Sequence, residues 1–203
     1  MEQIKLKFVG ESPFLMHNNR LANPLDSYTI AMGSKSGKRK KTIEDIKELA
    51  RIEWEGSLYT HEGTIKIPSR VVTKCMERGA TKQKNGTLWK TGCVVTDDYC
   101  NFEYKGETIR FNGNKDIPNP ELDKFFDNFN FQAIVRVGQA SLLRTRPIFY
   151  DWSLTTTIAF MPSIINRETL IQCAVDAGML AGIGDWRIEK GGGYGRFYVE
   201  VVE

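Results

Sequence analysis

The sequence predicts an α+β protein, an antiparallel sheet with helices on one face. Three observations predict it. Segments that alternate with period two open and close the chain, at residues 4–9 and 196–202. A longer alternating segment, residues 153–160 with Trp152 just before it, sets Trp152, Leu154, Thr156, Ile158 and Phe160 on one face. Between these strands lie stretches with helical spacing and helix start and stop signals, at residues 70–79 and 168–181.

The elements follow in order. Ile4, Leu6 and Phe8 supply the buried face of the first strand, and GESP ends it. AMGSKSGKRKKT is polar, basic and aperiodic, so a loop is expected. Thr42, with Glu44 and Asp45 in the first turn that follows, caps a helix carrying Ile46, Ala50 and Trp54. Residues 64–67 read as a short strand. Val72 with Met76, and Val71 with Cys75, mark a helix that ends near Gly79. Residues 81–90 read as a basic polar loop, and short strands follow at 93–95 and 102–104, the latter in a hairpin with 107–111. Pro120 opens a helix with Leu122, Phe125, Phe126 and Phe129 on its apolar side. Ala133, Val135 and Val137 alternate into a strand that stops at Gly138, and QASLLRTRPIFYD reads as a loop or bent ribbon. Asn166 caps the last helix, whose Ala174, Ala177, Gly178 and Ala181 permit close packing on a sheet.

Reduced to residues 4–9, 70–79, 131–138, 153–160, 168–181 and 196–202, the order is strand, helix, strand, strand, helix, strand. That is the split β-α-β order of the ferredoxin-like (RRM-like) fold. Two long insertions, about 18–60 and 82–130, interrupt it, and no linker or repeat divides residues 1–203, so one domain is expected.

Composition narrows the function classes. The 28 basic and 25 acidic residues nearly balance, so the placement of charge must decide whether a polyanion is a partner. MEQIKLKFVG is too short and charged for a secretory h-region, and no run reaches membrane-span length, so a cytoplasmic protein without a membrane partner is expected. Cys75, Cys93, Cys100 and Cys173 form no CxxC pair, which suits reduced thiols rather than disulfides or zinc. No P-loop or Rossmann fingerprint is present, and no cofactor or metal is expected.

Three motifs carry a resemblance. GIG at 182–184 followed by GYGRF at 193–197 resembles the glycine-rich loop before the last strand in the RAMP superfamily of CRISPR systems. IPSRVVTKCMERGA at 67–80 resembles the segment that opens the first core helix in its backbone subunits, without the first glycine. FVGESPFLMHN is similar to the region after the first strand, where many members place a histidine. The layout LMHN…RLANPLD, RVGQ…RTRPIF…W, GIGDWR…YGRF is also similar to a family of small tailed-phage proteins, which implies a phage or prophage origin and the host bacterial cytoplasm.

The candidate site residues follow from chemistry. A glycine-rich loop beside a helix end brings N–H groups close to a ligand, and phosphates suit such a place. Gly191, Gly192, Gly193 and Gly195 form it, Arg187, Lys190 and Arg196 flank it, and Tyr194 is placed to stack on a base. The bland alternative is a tight loop packed on the sheet. Lys35, Lys38, Arg39, Lys40 and Lys41 put five positive charges in seven residues, either a solvated loop or an arm that follows a phosphate backbone. Arg144 and Arg146 share a face if extended, which makes either a phosphate clamp or salt bridges to the acidic helix at 121–127.

The sequence therefore reads as a non-enzymatic protein that binds single-stranded RNA or DNA. The resemblance implies homo-oligomers assembled along the strand. One alternative is an RNA-processing endoribonuclease, in which the resemblance assigns His17 as general base. Another is a counter-defence protein that binds a host CRISPR-type complex by mimicking its subunit, so that its partner is a protein.

Overall fold

The computed structural model describes residues 1–37, 40–111 and 120–202. In chain order the elements are β1 (Glu2–Gly10), β2 (Phe14–Leu15), α1 (Ser27–Ser36), α2 (Ile43–Ser57), β3 (Thr60–His61), β4 (Thr64–Pro68), α3 (Ser69–Lys82), α4 (Gly86–Gly92), β5 (Cys93–Val95), β6 (Tyr99–Tyr104), β7 (Glu107–Thr108), α5 (Pro120–Phe129), β8 (Asn130–Val137), β9 (Ala140–Phe149), β10 (Trp152–Phe160), α6 (Arg167–Asp176) and β11 (Phe197–Val201). The fold is mixed α+β. The chain divides into two compact units: Met1–Leu15 with Thr60–Phe111 and Phe149–Glu203, and Met16–Tyr59 with Asn112–Ile148.

In the first unit the sheet order is β11-β1-β10-β6-β4-β3. Every neighbouring pair in it is antiparallel. Alternation sets the register: Leu6 lies opposite Thr156 and Phe8 opposite Leu154, and Ile4, Leu6, Phe8, Leu154 and Ile158 are all buried. Val72 and Met76 of α3 and Leu170 and Ala174 of α6 are buried with them. Gly79 lets the two helices approach, since a Cβ there would meet the Cys173 carbonyl oxygen at 2.4 Å. This corrects the expected helix end: Gly79 is a contact point, and α3 runs on to Lys82. Gly178 does the same for the last strand, where a Cβ would meet the Phe197 carbonyl oxygen at 2.0 Å.

The reduced order counts residues 131–138 among the core strands, but they pair with β9, and it is β6 that lies beside β10, with Phe102 opposite Leu154. The reason lies in burial. Cys100 and Phe102 are fully buried, whereas Ile134 in β8 is 76% exposed and contributes no core. The β6–β7 hairpin turns at Lys105 (φ 53°) and Gly106 (φ 78°), the paired left-handed geometry of a two-residue turn. The expected loop at 81–90 is mostly helical, the end of α3 and then α4, held by buried Trp89; Leu88 and Trp89 are its only apolar residues, side by side, so no periodic signal arises.

In the second unit α2 begins with a reciprocal capping box. Thr42 Oγ1 accepts from the Asp45 N–H, and Asp45 accepts from the Thr42 N–H. Ala50 and Trp54 are buried, and Trp54 Nε1 donates to the Phe129 carbonyl at 3.0 Å. Ile46 is exposed despite its helical spacing. Asp26 caps α1, so a helix occupies part of the stretch expected as a basic loop. The segment expected as a bent ribbon is strand β9, paired with β8 from Val137–Ala140 to Asn130–Pro147.

Candidate nucleic-acid interface

The glycine loop of the first unit follows a π-helical turn, Ala177–Ala181, contains a short 3₁₀ turn, Ile188–Lys190, and ends at β11. The segments carrying the three motifs meet here. From the stretch after β1, Pro13 accepts from the Gly195 N–H at 2.9 Å and Leu15 from the Asp185 N–H at 2.8 Å. Arg196 accepts from the Glu11 N–H at 2.8 Å and donates its own N–H to Ser12 Oγ at 2.9 Å. From α3, Cys75 Sγ lies 3.4 Å from the Gly182 carbonyl, and Arg78 pairs with Glu189.

The loop's own bonds correct the expectation of bare N–H groups. Ile183 donates to the Gly195 carbonyl at 2.9 Å, Gly191 to Ile188 at 2.8 Å, and Gly192 to Arg187 at 3.1 Å. The Tyr194 N–H points to the Trp186 carbonyl at 3.5 Å, a long contact. The glycines serve close approach instead. A Cβ on Gly192 would sit 1.6 Å from the Trp186 carbonyl oxygen, and one on Gly195 would sit 1.8 Å from that of Ile183. Gly193 is exposed, with nothing within 4 Å of the place a Cβ would take.

The side chains of the loop are sorted by burial. Arg187 is half-buried; its Nη1 donates to the Gly184 carbonyl at 3.2 Å and its Nη2 pairs with Glu189 at 3.4 Å. Partial burial raises the Glu189 pKa, but the hydrogen bond and charge of Arg78 and the charge of Arg187 outweigh it and hold the carboxyl below its usual range. Lys190 and Arg196 are exposed. Tyr194 is half-buried, its ring centroid 6.2 Å from that of Trp186 and tilted by 30°. Trp186 is 41% exposed and sits at φ 48°. Sequence reasoning passed over Trp186; its signal was a large aromatic between Asp185 and Arg187 inside a glycine-rich run.

The other candidates belong to the second unit. Lys38 and Arg39 lie outside the described residues, and Lys40 is exposed. Lys41 and Arg144 line one open cavity of about 540 Å³ between α2 and β9. Arg144 and Arg146 share a face, as their spacing predicts, and both guanidinium groups on that face pair with Glu53 of α2. Arg146 Nη1 lies 2.7 Å and Arg144 Nη1 3.2 Å from Glu53 Oε1, while the Thr145 N–H donates to Oε2 at 2.9 Å. The Arg146 side chain is 10% exposed and is engaged by Glu53, itself 5% exposed. Arg144, at 36%, keeps an open side. His17 is half-buried, and its carbonyl accepts from the Tyr59 hydroxyl at 2.8 Å.

All four thiols are free and none is activated. Burial pushes Cys75 and Cys93 up to about 12, and Cys100 and Cys173 up to about 11. Among the described residues no group of three His, Cys, Asp or Glu side chains is placed to hold a metal ion. No helix among them is long and apolar enough to cross a membrane. No protein-family model and no curated protein matches the chain.

Proposed function

We propose that the first unit is a ferredoxin-like module of RAMP type that binds single-stranded nucleic acid at its glycine loop. The order β11-β1-β10-β6, antiparallel throughout, with α3 between β1 and β6 and α6 between β10 and β11, supports the fold reading. The observation that carries the function is convergence. Two segments distant in sequence, each with a RAMP-like motif, bond to the glycine loop that carries the third, and that loop exposes Lys190, Arg196 and Trp186. Glu189 is already matched by Arg78 and Arg187, so the exposed cations set the local sign. Lys190 and Arg196 contact phosphates, and the aromatic rings meet bases.

Lys41 and Arg144 form a separate basic point on the second unit, suited to the same polyanion. Assembly of copies along a strand, in a phage-infected bacterial cytoplasm, completes the reading. Fluorescence anisotropy with labelled single-stranded RNA and DNA across a salt series tests it. Binding that weakens steeply with salt is the expected result. Absence of binding to either polymer at low salt overturns it and moves a protein partner to the front; shortened oligonucleotides on a gel would bring His17 chemistry back.

A further inference from the structure

We infer that Trp186 is a base-stacking platform that makes the glycine-loop site selective for unpaired bases. The inference deepens the nucleic-acid reading above and rests on it. Three observations carry it. First, Trp54, Trp89 and Trp152 are 0–2% exposed, whereas Trp186 is 41% exposed, and an indole left in water costs hydrophobic free energy that the other three recover by burial. Second, its backbone is fixed in an unfavourable region. A bulky residue at φ 48° is an outlier, and such strain persists where the surroundings over-determine it. Here they do: Asp185 Oδ1 accepts the Trp186 N–H at 3.0 Å, and the backbone of Gly192 packs so close to the Trp186 carbonyl that no side chain fits. Third, the indole stands beside Tyr194, with the cations Lys190 and Arg196 exposed on the same loop.

A single strand offers what this arrangement accepts: a flat π-face for the indole and a phosphate on either side for the cations. In a duplex the base faces are stacked on one another, so only the phosphates remain to bind. The ring therefore adds affinity for unpaired bases alone, and the cations add it for any polyanion.

Because Trp186 is the one exposed tryptophan of four, the part of the protein's emission that a ligand can quench reports on it, and the three buried indoles supply a constant background. The probes are a thymidine 15-mer, a fully abasic 15-mer of the same backbone, and a duplex of equal length. The variants are Trp186→Gly, which suits the left-handed backbone and removes only the ring, and Trp186→Tyr, which restores a stacking face. Circular dichroism melts confirm that both are folded. The expected result is that the thymidine 15-mer quenches the emission and the abasic one does not. Trp186→Gly then binds the thymidine 15-mer roughly tenfold or more weakly, with affinity for the abasic and duplex probes unchanged, and Trp186→Tyr recovers much of the loss. Equal losses on all three probes, or tight binding by Trp186→Gly with no quenching in the parent, would overturn the stacking role and leave the phosphate site standing. No binding of any probe by the parent protein would overturn both.

Discussion

Gly195 and Ile183 are in backbone contact: the Ile183 N–H donates to the Gly195 carbonyl at 2.9 Å, and a Cβ on Gly195 would stand 1.8 Å from the Ile183 carbonyl oxygen. The contact closes the glycine loop at its base. It depends on a φ of 71° that only glycine adopts without strain. Gly195→Ala therefore carries both a conformational and a steric cost, about 2 kcal/mol or more. The melting temperature should fall by roughly 4–8 °C for a chain of this size. Gly193→Ala, at an open position outside the left-handed region, should change stability by less than about 0.5 kcal/mol. Calorimetry on the two variants separates a packed loop from a merely flexible one, since a flexible loop would tolerate both.

Glu53 holds three donors at once, Arg144, Arg146 and the Thr145 N–H, and is itself 5% exposed. Glu53→Ala removes a buried carboxylate that accepts from both guanidinium groups and from the Thr145 N–H, which should cost about 3–5 kcal/mol. Arg144→Ala should cost far less, because its outer side already meets water. The double replacement Glu53→Leu with Arg146→Met should recover most of the loss, because no uncompensated buried charge remains. Urea midpoints of the three proteins check the order. A double variant as unstable as Glu53→Ala would mean that the cluster contributes more than its charges.

The contrast between these two sites explains what the sequence could reveal. Features that depend on neighbours within a few residues were legible: the Thr42–Asp45 capping box, the Asn166 cap that bonds the Thr169 N–H, and the alternation of Ile4, Leu6 and Phe8. The shared face of Arg144 and Arg146 was legible for the same reason. What that face meets was not, because Glu53 lies 93 residues from Arg146. The place of β6 beside β10 was hidden likewise, since β8 alternates as well and only tertiary pairing separates them. At the glycine loop the glycines were plain. Whether they opened N–H groups to a ligand or allowed backbone to meet backbone depended on Pro13, Arg187 and Ile188 as acceptors.

Acid should loosen the tie between α3 and the loop. The Glu189 carboxyl is held below its ordinary value of 4.5 in the folded protein, so its pairing with Arg78 and Arg187 stabilises the fold fully above that value. The contribution disappears as pH falls through the depressed folded pKa. Glu189→Gln should accordingly be less stable than the parent near pH 7, and the two denaturation midpoints should converge as pH falls through the depressed folded pKa of Glu189. A gap between them that stays constant from neutral to acid pH would show that the carboxylate charge plays no part.

The exposed cations should be separable from the ring beside them. In the proposed mode Lys190 and Arg196 contact phosphates, not bases, so Lys190→Gln and Arg196→Gln should each weaken single-strand binding for every sequence alike. Each should also lower the slope of log affinity against log salt by roughly 0.7, the counterion release of one phosphate contact on a single strand. Arg146→Gln serves as the contrast, since a guanidinium buried against Glu53 has no phosphate to neutralise; it should reduce stability and leave the slope alone. Anisotropy titrations between about 50 mM and 200 mM salt measure all three. A slope that falls with Arg146→Gln, and not with Arg196→Gln, would move the phosphate contacts from the glycine loop to the strand β9.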